Sequence, residues 1–338
     1  MSASIILGIE SSCDDTSAAI ISGSKILSNI AANQAIHNEY GGVVPELASR
    51  AHQQNIIPVV EKAFSKANIQ QNEICAIGFT RGPGLLGSLL VGTSFAKSLA
   101  MSLNVPLIEV NHLQAHILAH FIDDANPTPP TFPFLCLTVS GGHTMIVLVK
   151  DYFEMEIIGK TIDDAAGEAF DKIGKIFDLD YPAGPIIDKL AKEGNPDAFQ
   201  FNKPRMEHYD YSFSGIKTSV LYFIQKEVRK NPDFIKENLN DLCASVQRSI
   251  IEILMNKLEK ASIDLNIKDV AIAGGVSANS ALRKAMEINQ EKLAWNIFIP
   301  KFEYTTDNAA MIAIVAKLKY ERGEFTDIRT TATAKYDL

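Results

Sequence analysis

His112 and His116 lie four residues apart in the segment Asn111-His-Leu-Gln-Ala-His116. On a helix this spacing puts both imidazoles on one face, where they can grip a single metal ion. His120 extends the ladder by another four residues, but each such step drifts about 40° around the helix, so neighbouring pairs can chelate and all three together would be strained. A histidine pair alone more often packs than binds, and a metal site needs a third ligand. Asp307 is the candidate, in Thr305-Thr-Asp-Asn-Ala-Ala310 at the head of an apolar run. Thr306, Asp307 and Asn308 are all N-cap residue types, so capping is the competing account and spacing does not choose between them. Zinc peptidases place a glutamate directly after the first histidine to activate water. Here that position is Leu113, which favours holding and polarising a substrate over hydrolysis.

Two glycine turns, Ser140-Gly141-Gly142 and Gly274-Gly275, can present backbone N–H groups to phosphate oxygens. Neither matches a P-loop or a G-x-G-x-x-G fingerprint, which argues against those two nucleotide sites. Asp164, Glu168 and Asp171 recur at four- and three-residue steps within 162–177, so they are expected on one helical face, by default a solvated one. Pro182 and Pro185 fix a turn around Gly184 and leave Asp188 one turn into the next helix. Asp14 and Asp15, in the first polar turn, are turn residues by default and carboxylates facing phosphates if a cleft exists.

The elements that must carry these residues alternate in type. Residues 5–21 and 134–149 each read as strand, polar turn, strand, and residues 76–90 and 269–285 as strand, glycine turn, helix, the last capped by Ser277 or Asn279. Apolar residues at three- and four-residue intervals predict helices over 44–67, 88–103, 185–192, 239–262 and 309–322. Strands alternating with helices indicate α/β layers. The stretch Asp124–Pro133 holds four of the fourteen prolines, which stops helices and strands alike and suits a domain junction. The matching hairpins at Ile5 and Phe134 suggest two halves of similar plan, with a ligand expected where their polar turns converge.

The chain has 338 residues, 46% of them apolar, and a net charge of −8, the wrong sign for coating nucleic acid unaided. The acidity is local: residues 1–100 carry −1, residues 101–200 carry −9 and residues 201–338 carry +2. The four cysteines include no C-x-x-C pair, so neither a disulfide framework nor a thiolate zinc site is indicated. The apolar run near the start spans only Ile5–Ile9 without a basic region before it. The expectation is a cytoplasmic protein with no export signal and no membrane span.

Ten motifs taken in order, ESSCDDTSAA, GGVVPELASRAH, GPGLLGSLLVG, NHLQAH, TVSGGHT, DDAAGEAFDKIGK, YPAGP, YSFSGIKT, GGVSANSALR and TTDNAAMIA, resemble the bacterial tRNA adenosine N6-threonylcarbamoyltransferase family, formerly called O-sialoglycoprotein endopeptidases. The resemblance runs from about Ile5 to Ile314. It implies an α/β, actin-like and sugar-kinase-like fold of two lobes, each with a ribonuclease-H-like sheet. The lobes would comprise residues 1–125 with a C-terminal helix from about 307 to 338, and residues 130–306. It implies one divalent metal, Fe(2+) or zinc, on His112, His116 and Asp307, and substrate contacts at Thr138, Val139, Ser140, Gly141, Gly142, Asp171, Gly184, Asp188 and Asn279. His120 falls outside the family pattern and returns to packing. Two departures stand out: Gln114 and Ala115 replace the usual Glu-Gly, and Ala183 replaces a glycine. The first can alter metal retention, and the second matters only where φ is positive.

The implied reaction moves a threonylcarbamoyl group from threonylcarbamoyl-AMP to N6 of the adenosine 3′ of the anticodon in tRNAs reading codons that start with A, releasing AMP. Asp14 is the candidate general base. Implied partners are tRNA, the paralogous actin-like subunit TsaB and the small ATPase TsaE, with a separate synthase supplying the adenylate. The competing classes are an actin-like ATPase, a metallopeptidase and a non-catalytic assembly subunit. Lys203 to Lys236 holds seven basic residues (Lys203, Arg205, Lys217, Lys226, Arg229, Lys230 and Lys236) against four acidic. That local excess suits phosphates or merely a solvated face, and the overall sign predicts weak tRNA binding by this chain alone.

Overall fold

The computed structural model describes residues 3–32, 34, 40, 42–204 and 206–338. It comprises two compact units, unit 1 formed by Met1–Pro129 with Pro300–Leu338 and unit 2 by Pro130–Ile299. The chain changes unit inside the proline-rich stretch and returns at Pro300, a few residues ahead of the expected 307.

Unit 1 opens with a three-stranded meander, β1 (Ile5–Glu10), β2 (Thr16–Ser22) and β3 (Lys25–Ala32), followed by α1 (Pro45–Ala67), β4 (Ala76–Gly82), α2 (Leu86–Leu103), β5 (Leu107–Asn111) and α3 (His112–Leu118). Its sheet runs β3-β2-β1-β4-β5, antiparallel through the meander and parallel from β1 to β5. Unit 2 opens the same way with β6 (Phe134–Val139), β7 (Thr144–Asp151) and β8 (Glu154–Lys160). Helices α4 (Ala166–Ile176), α5 (Ala183–Ala191), α6 (Ser214–Val228), α7 (Phe234–Glu237) and α8 (Leu239–Leu265) then lead to β9 (Asp269–Ala273), α9 (Ser280–Lys292) and β10 (Asn296–Phe298). Its sheet runs β10-β9-β6-β7-β8, again a meander joined to two parallel strands. The two hairpins legible in the sequence are thus the opening strands of two copies of one topology. The α/β class with two ribonuclease-H-like sheets is the one observed.

The core strands read as continuous apolar runs because both faces are covered: all six residues of β6 and five of six in β1 are buried. The chain re-enters unit 1 and ends its regular structure in α10 (Ala309–Glu321), in which every residue from Ala309 to Ala316 is buried. Small apolar residues all round a helix mark it as a core element. It lies directly on the unit 1 sheet because β1 and β4 present glycines to it. A Cβ on Gly8 would stand 2.6 Å from the Ala309 carbonyl oxygen, and one on Gly78 would stand 2.4 Å from the Ala316 methyl.

Helix α2 has the length and mean hydropathy of a membrane span, where the sequence led us to expect none. Its residues Ser88, Leu89, Gly92, Thr93, Ala96 and Ala100 are buried within unit 1, whereas Leu86, Leu90 and Met101 are exposed. The acidic trio is also corrected: Asp164 precedes α4 instead of sharing its face. Asp164 and Glu168 both pair with Lys172, at 2.5 and 2.8 Å, while Asp171 turns to the start of α5.

Candidate functional site

In unit 1 the site is built where the parallel strands end, the edge at which α/β sheets bind ligands. β5 ends at Asn111, whose Oδ1 accepts from the backbone N–H groups of Leu113 (2.9 Å) and Gln114 (3.2 Å) and so starts α3. His112 and His116 then stand one turn apart, their rings edge to face with centroids 4.7 Å apart. At the head of α10 it is Asn308 that caps, its Oδ1 accepting from Met311 N at 3.1 Å. This leaves Asp307 for the histidines: its Oδ1 lies 3.3 Å from His112 Nε2 and 3.2 Å from His116 Nε2. One ligand atom from each of the three residues falls within 4.8 Å of the others. His120 is not among them; it is buried, with Asn126 Nδ2 3.0 Å from its Nδ1.

Behind this cluster stands a residue the sequence reading did not single out. Glu10, the last residue of β1, is fully buried. Its Oε2 accepts from Thr80 Oγ1 (2.7 Å) and lies 3.0 Å from His112 Nδ1, and its other oxygen accepts from the Ser12 backbone N–H. A carboxylate facing Nδ1 holds a proton there and orients Nε2 toward Asp307, the nitrogen that would give up its own proton to an ion. Burial alone would lower the His112 pKa, but the charges of Asp307 and Glu10 outweigh it and raise it well above the ordinary value. The reverse balance holds both carboxylates low: burial opposes ionisation, and the charge and hydrogen bonds of His112 overcome it at Glu10 and Asp307. The Nδ1 of His116 is buried without a hydrogen-bond partner, so that ring's polar engagement among the described residues is toward Asp307. Two imidazole nitrogens and one carboxylate oxygen are a donor set that suits Fe(II) or Zn(II). The residues present therefore fit a divalent ion. The signal for Glu10 was available, since a glutamate closing an apolar strand must find a buried partner.

Asp14 and Asp15 occupy the turn between β1 and β2, both half-buried. Burial, then the neighbouring charges of Asp14, Asp307 and Glu10, pushes the Asp15 carboxyl up to about 7.

The other expected positions lie in unit 2, again at the ends of parallel strands. β6 leads into Ser140-Gly141-Gly142 and β9 into Gly274-Gly275. Gly274 has φ +85° and a Cβ there would stand 2.5 Å from the Val139 carbonyl oxygen, so only glycine lets the two turns meet. Gly141 and Gly142 have nothing within 4 Å of a would-be Cβ, leaving their backbone open on that side. Thr138 and Val139 are buried in β6, backbone and side chain alike. Asp171 accepts from Ala183 N at 2.8 Å and also from the Gly184 N–H at the start of α5. Asp188 accepts from Ser280 Oγ (2.7 Å) and N (3.1 Å), while Asn279 caps α9 through Ala281 and Leu282 and donates to Gln247 Oε1 at 2.7 Å. Each of these carboxylates and amides already has a structural partner, and Asp171 and Asp188 keep acceptor capacity beyond it. Ala183 has no positive φ; its methyl fills the space a side chain on Gly174 would need.

Of the basic stretch, Arg205 lies outside the described residues, Lys203 pairs with Glu252 and Lys230 with Glu227. Among the described residues, the other cations of the stretch are Lys217, Lys226, Arg229 and Lys236.

A sequence profile described as TsaD, tRNA N6-adenosine threonylcarbamoyltransferase, matches residues 25–314. A protein of Riemerella anatipestifer named tRNA N6-adenosine threonylcarbamoyltransferase is 83% identical over 338 residues, covering 100% of this chain and 99% of the relative. Among solved structures, T. kodakarensis HypF aligns with TM-score 0.62 at 13% identity, over 96% of this chain and 49% of that one. The ROK hexokinase of Thermus thermophilus aligns with TM-score 0.51 at 14% identity, over 94% and 100%. These two likenesses show the fold, of actin-like and sugar-kinase-like type. The profile and the full-length relative show more than the fold: this chain belongs to the TsaD family of tRNA N6-adenosine threonylcarbamoyltransferases.

Proposed function

We propose that this chain transfers the threonylcarbamoyl group of threonylcarbamoyl-AMP to N6 of the adenosine 3′ of the anticodon, in tRNAs reading codons that start with A, with release of AMP. The observation that carries the proposal is the convergence of His112 and His116 on Asp307, backed by Glu10, in a chain of this family.

In the reaction a bond forms between N6 and the carbamoyl carbon. The bond from that carbon to the AMP phosphate oxygen breaks, and AMP leaves with the electron pair while N6 loses one proton. The N6 lone pair is delocalised into the ring, so catalysis acts mainly on the electrophile and on positioning. His112, His116 and Asp307 would hold one divalent ion, Fe(2+) or zinc; when bound, it supplies Lewis acidity toward the donor's carbonyl and phosphate oxygens. Glu10 fixes the His112 ring so that Nε2 is the ligand atom. In unit 2, the turn Ser140, Gly141 and Gly142, set in place by Thr138 and Val139 of β6, holds the adenylate together with Asn279. Asp171 and Asp188 accept from its ribose hydroxyls, with Gly184 keeping the approach free of a side chain. Asp14 takes the N6 proton. The cytoplasmic reaction is supported by TsaB and TsaE as protein partners, and the adenylate comes from a separate synthase.

The test is release of AMP from threonylcarbamoyl-AMP, followed by chromatography in the presence of tRNA and both partners. Release should require tRNA and be lost in His112→Ala and Asp307→Ala. ATP turnover by the chain without tRNA would favour an actin-like ATPase instead, and peptide-bond cleavage a metallopeptidase.

A further inference from the structure

Residues 322–338 contain no helix or strand, yet they are tied to unit 1 along their length. The Thr326 N–H donates to the Leu107 carbonyl (2.8 Å), and Thr326 Oγ1 accepts from Glu109 N (2.7 Å), along the edge of β5. Farther on, Arg81 Nε donates to the Thr331 carbonyl at 3.2 Å, the Thr333 N–H donates to the Arg81 carbonyl at 2.9 Å, and the Gly84 N–H donates to the Ala334 carbonyl at 3.3 Å. The approach is close-packed: a Cβ on Gly82 would stand 2.1 Å from the Thr333 carbonyl oxygen. Tyr336 lies under the Arg81 guanidinium at 4.8 Å and donates its hydroxyl to Glu109 Oε1 at 2.9 Å. The segment finishes on Asn111, whose Nδ2 donates to the carbonyls of Tyr336 (3.2 Å) and Asp337 (2.9 Å).

Asn111 is the same buried residue whose Oδ1 starts the helix carrying both histidines. Its amide has two ends that cannot be exchanged without cost: flipped, the NH₂ group would face the N–H groups of α3, and Oδ1 would face two carbonyls.

We propose that residues 324–338 form a strap that fixes the Asn111 amide, and that Asn111 and the strap are thereby positioning elements for the metal ligands His112 and His116. The inference rests on the reading of His112, His116 and Asp307 as a metal site. An anchored cap sets where α3 begins, and the first residue of α3 is His112. Outer groups of this kind affect metal affinity about 10–100-fold when lost.

Two variants of the full chain test this, each stripped with chelator and titrated with Co²⁺, with binding read from the d–d absorption of the bound ion. Asn111→Ser keeps a side chain that caps helices as well as asparagine does but cannot also reach the strap. The second variant lacks residues 331–338. Each should weaken Co²⁺ binding about tenfold or more, and the two changes combined should weaken it no further than the stronger alone, because both act on the histidines through the contact between Asn111 and the strap. Should the shortened chain fail to fold, Asn111→Ser alone decides. Co²⁺ affinities within about twofold of the full chain, or effects that multiply when combined, would overturn the proposal while leaving the metal reading standing. Absence of any Co²⁺ band in the full chain would remove the metal reading and this inference with it.

Discussion

Asp307 owes its placement to the residue after it. Three adjacent cap-forming residues leave its placement undecidable from spacing; in the structure Asn308 caps α10 and Asp307 faces the histidines. Glu10 was missed for the opposite reason: its partners His112 and Thr80 are distant in sequence, and only the sheet brings them together. Replacing it tests the second layer of the site, and Glu10→Gln should weaken metal binding about 10–100-fold in a chelator competition, with an unchanged affinity speaking against the role. Asp14→Ala should leave adenylate binding intact and slow transfer by about 10²–10⁴-fold; transfer at the full rate would reduce Asp14 to a turn residue. Asp15 carries a pH signature. Its folded value of about 7 stands above the usual carboxylate value, so the folded chain keeps a proton that the unfolded chain loses, and stability falls as pH rises from about 4 to 7. Asp15→Asn removes that penalty, so in metal-free protein its stabilisation in urea titrations should be about 1–3 kcal/mol larger at pH 8 than at pH 5. An equal gain at both values would show that Asp15 ionises normally.

At the scale of elements, the sequence revealed what local pattern dictates. The hairpins at Ile5 and Phe134 became β1–β2 and β6–β7, and the glycine turns after β4 and β9 became helix starts. Strand β3, with Lys25, Ser28 and Asn29 among its apolar residues, and β8, with Glu154 and Glu156, gave no clear pattern because edge strands bury only part of their surface. The acidic run misled because a face shared in sequence broke where α4 starts only at Ala166. The packing of α10 on the sheet was invisible, since nothing local distinguishes Gly8 from any strand glycine. Gly8→Ala forces a methyl against the backbone of α10 and should cost about 1–3 kcal/mol in denaturant unfolding. A neutral effect would mean that α10 can shift away from β1.

For the whole molecule, the repeated sheet order follows from the paired hairpins visible in the sequence, while the return of residues 300–338 to unit 1 depends on long-range packing of an apolar helix. The net charge of −8 bears on how the chain meets RNA. With Lys203 and Lys230 paired to carboxylates and the net charge negative, the isolated chain should bind tRNA weakly and lose binding steeply as salt rises. Tight, salt-resistant binding in a filter assay would contradict this. The central claim is tested most directly by incubating the chain with TsaB, TsaE, ATP, tRNA and threonylcarbamoyl-AMP, then digesting the tRNA and weighing its nucleosides. The proposed activity predicts an adenosine heavier by one threonylcarbamoyl group, present with the intact chain and absent with His112→Ala. Unmodified adenosine with the intact chain would contradict it.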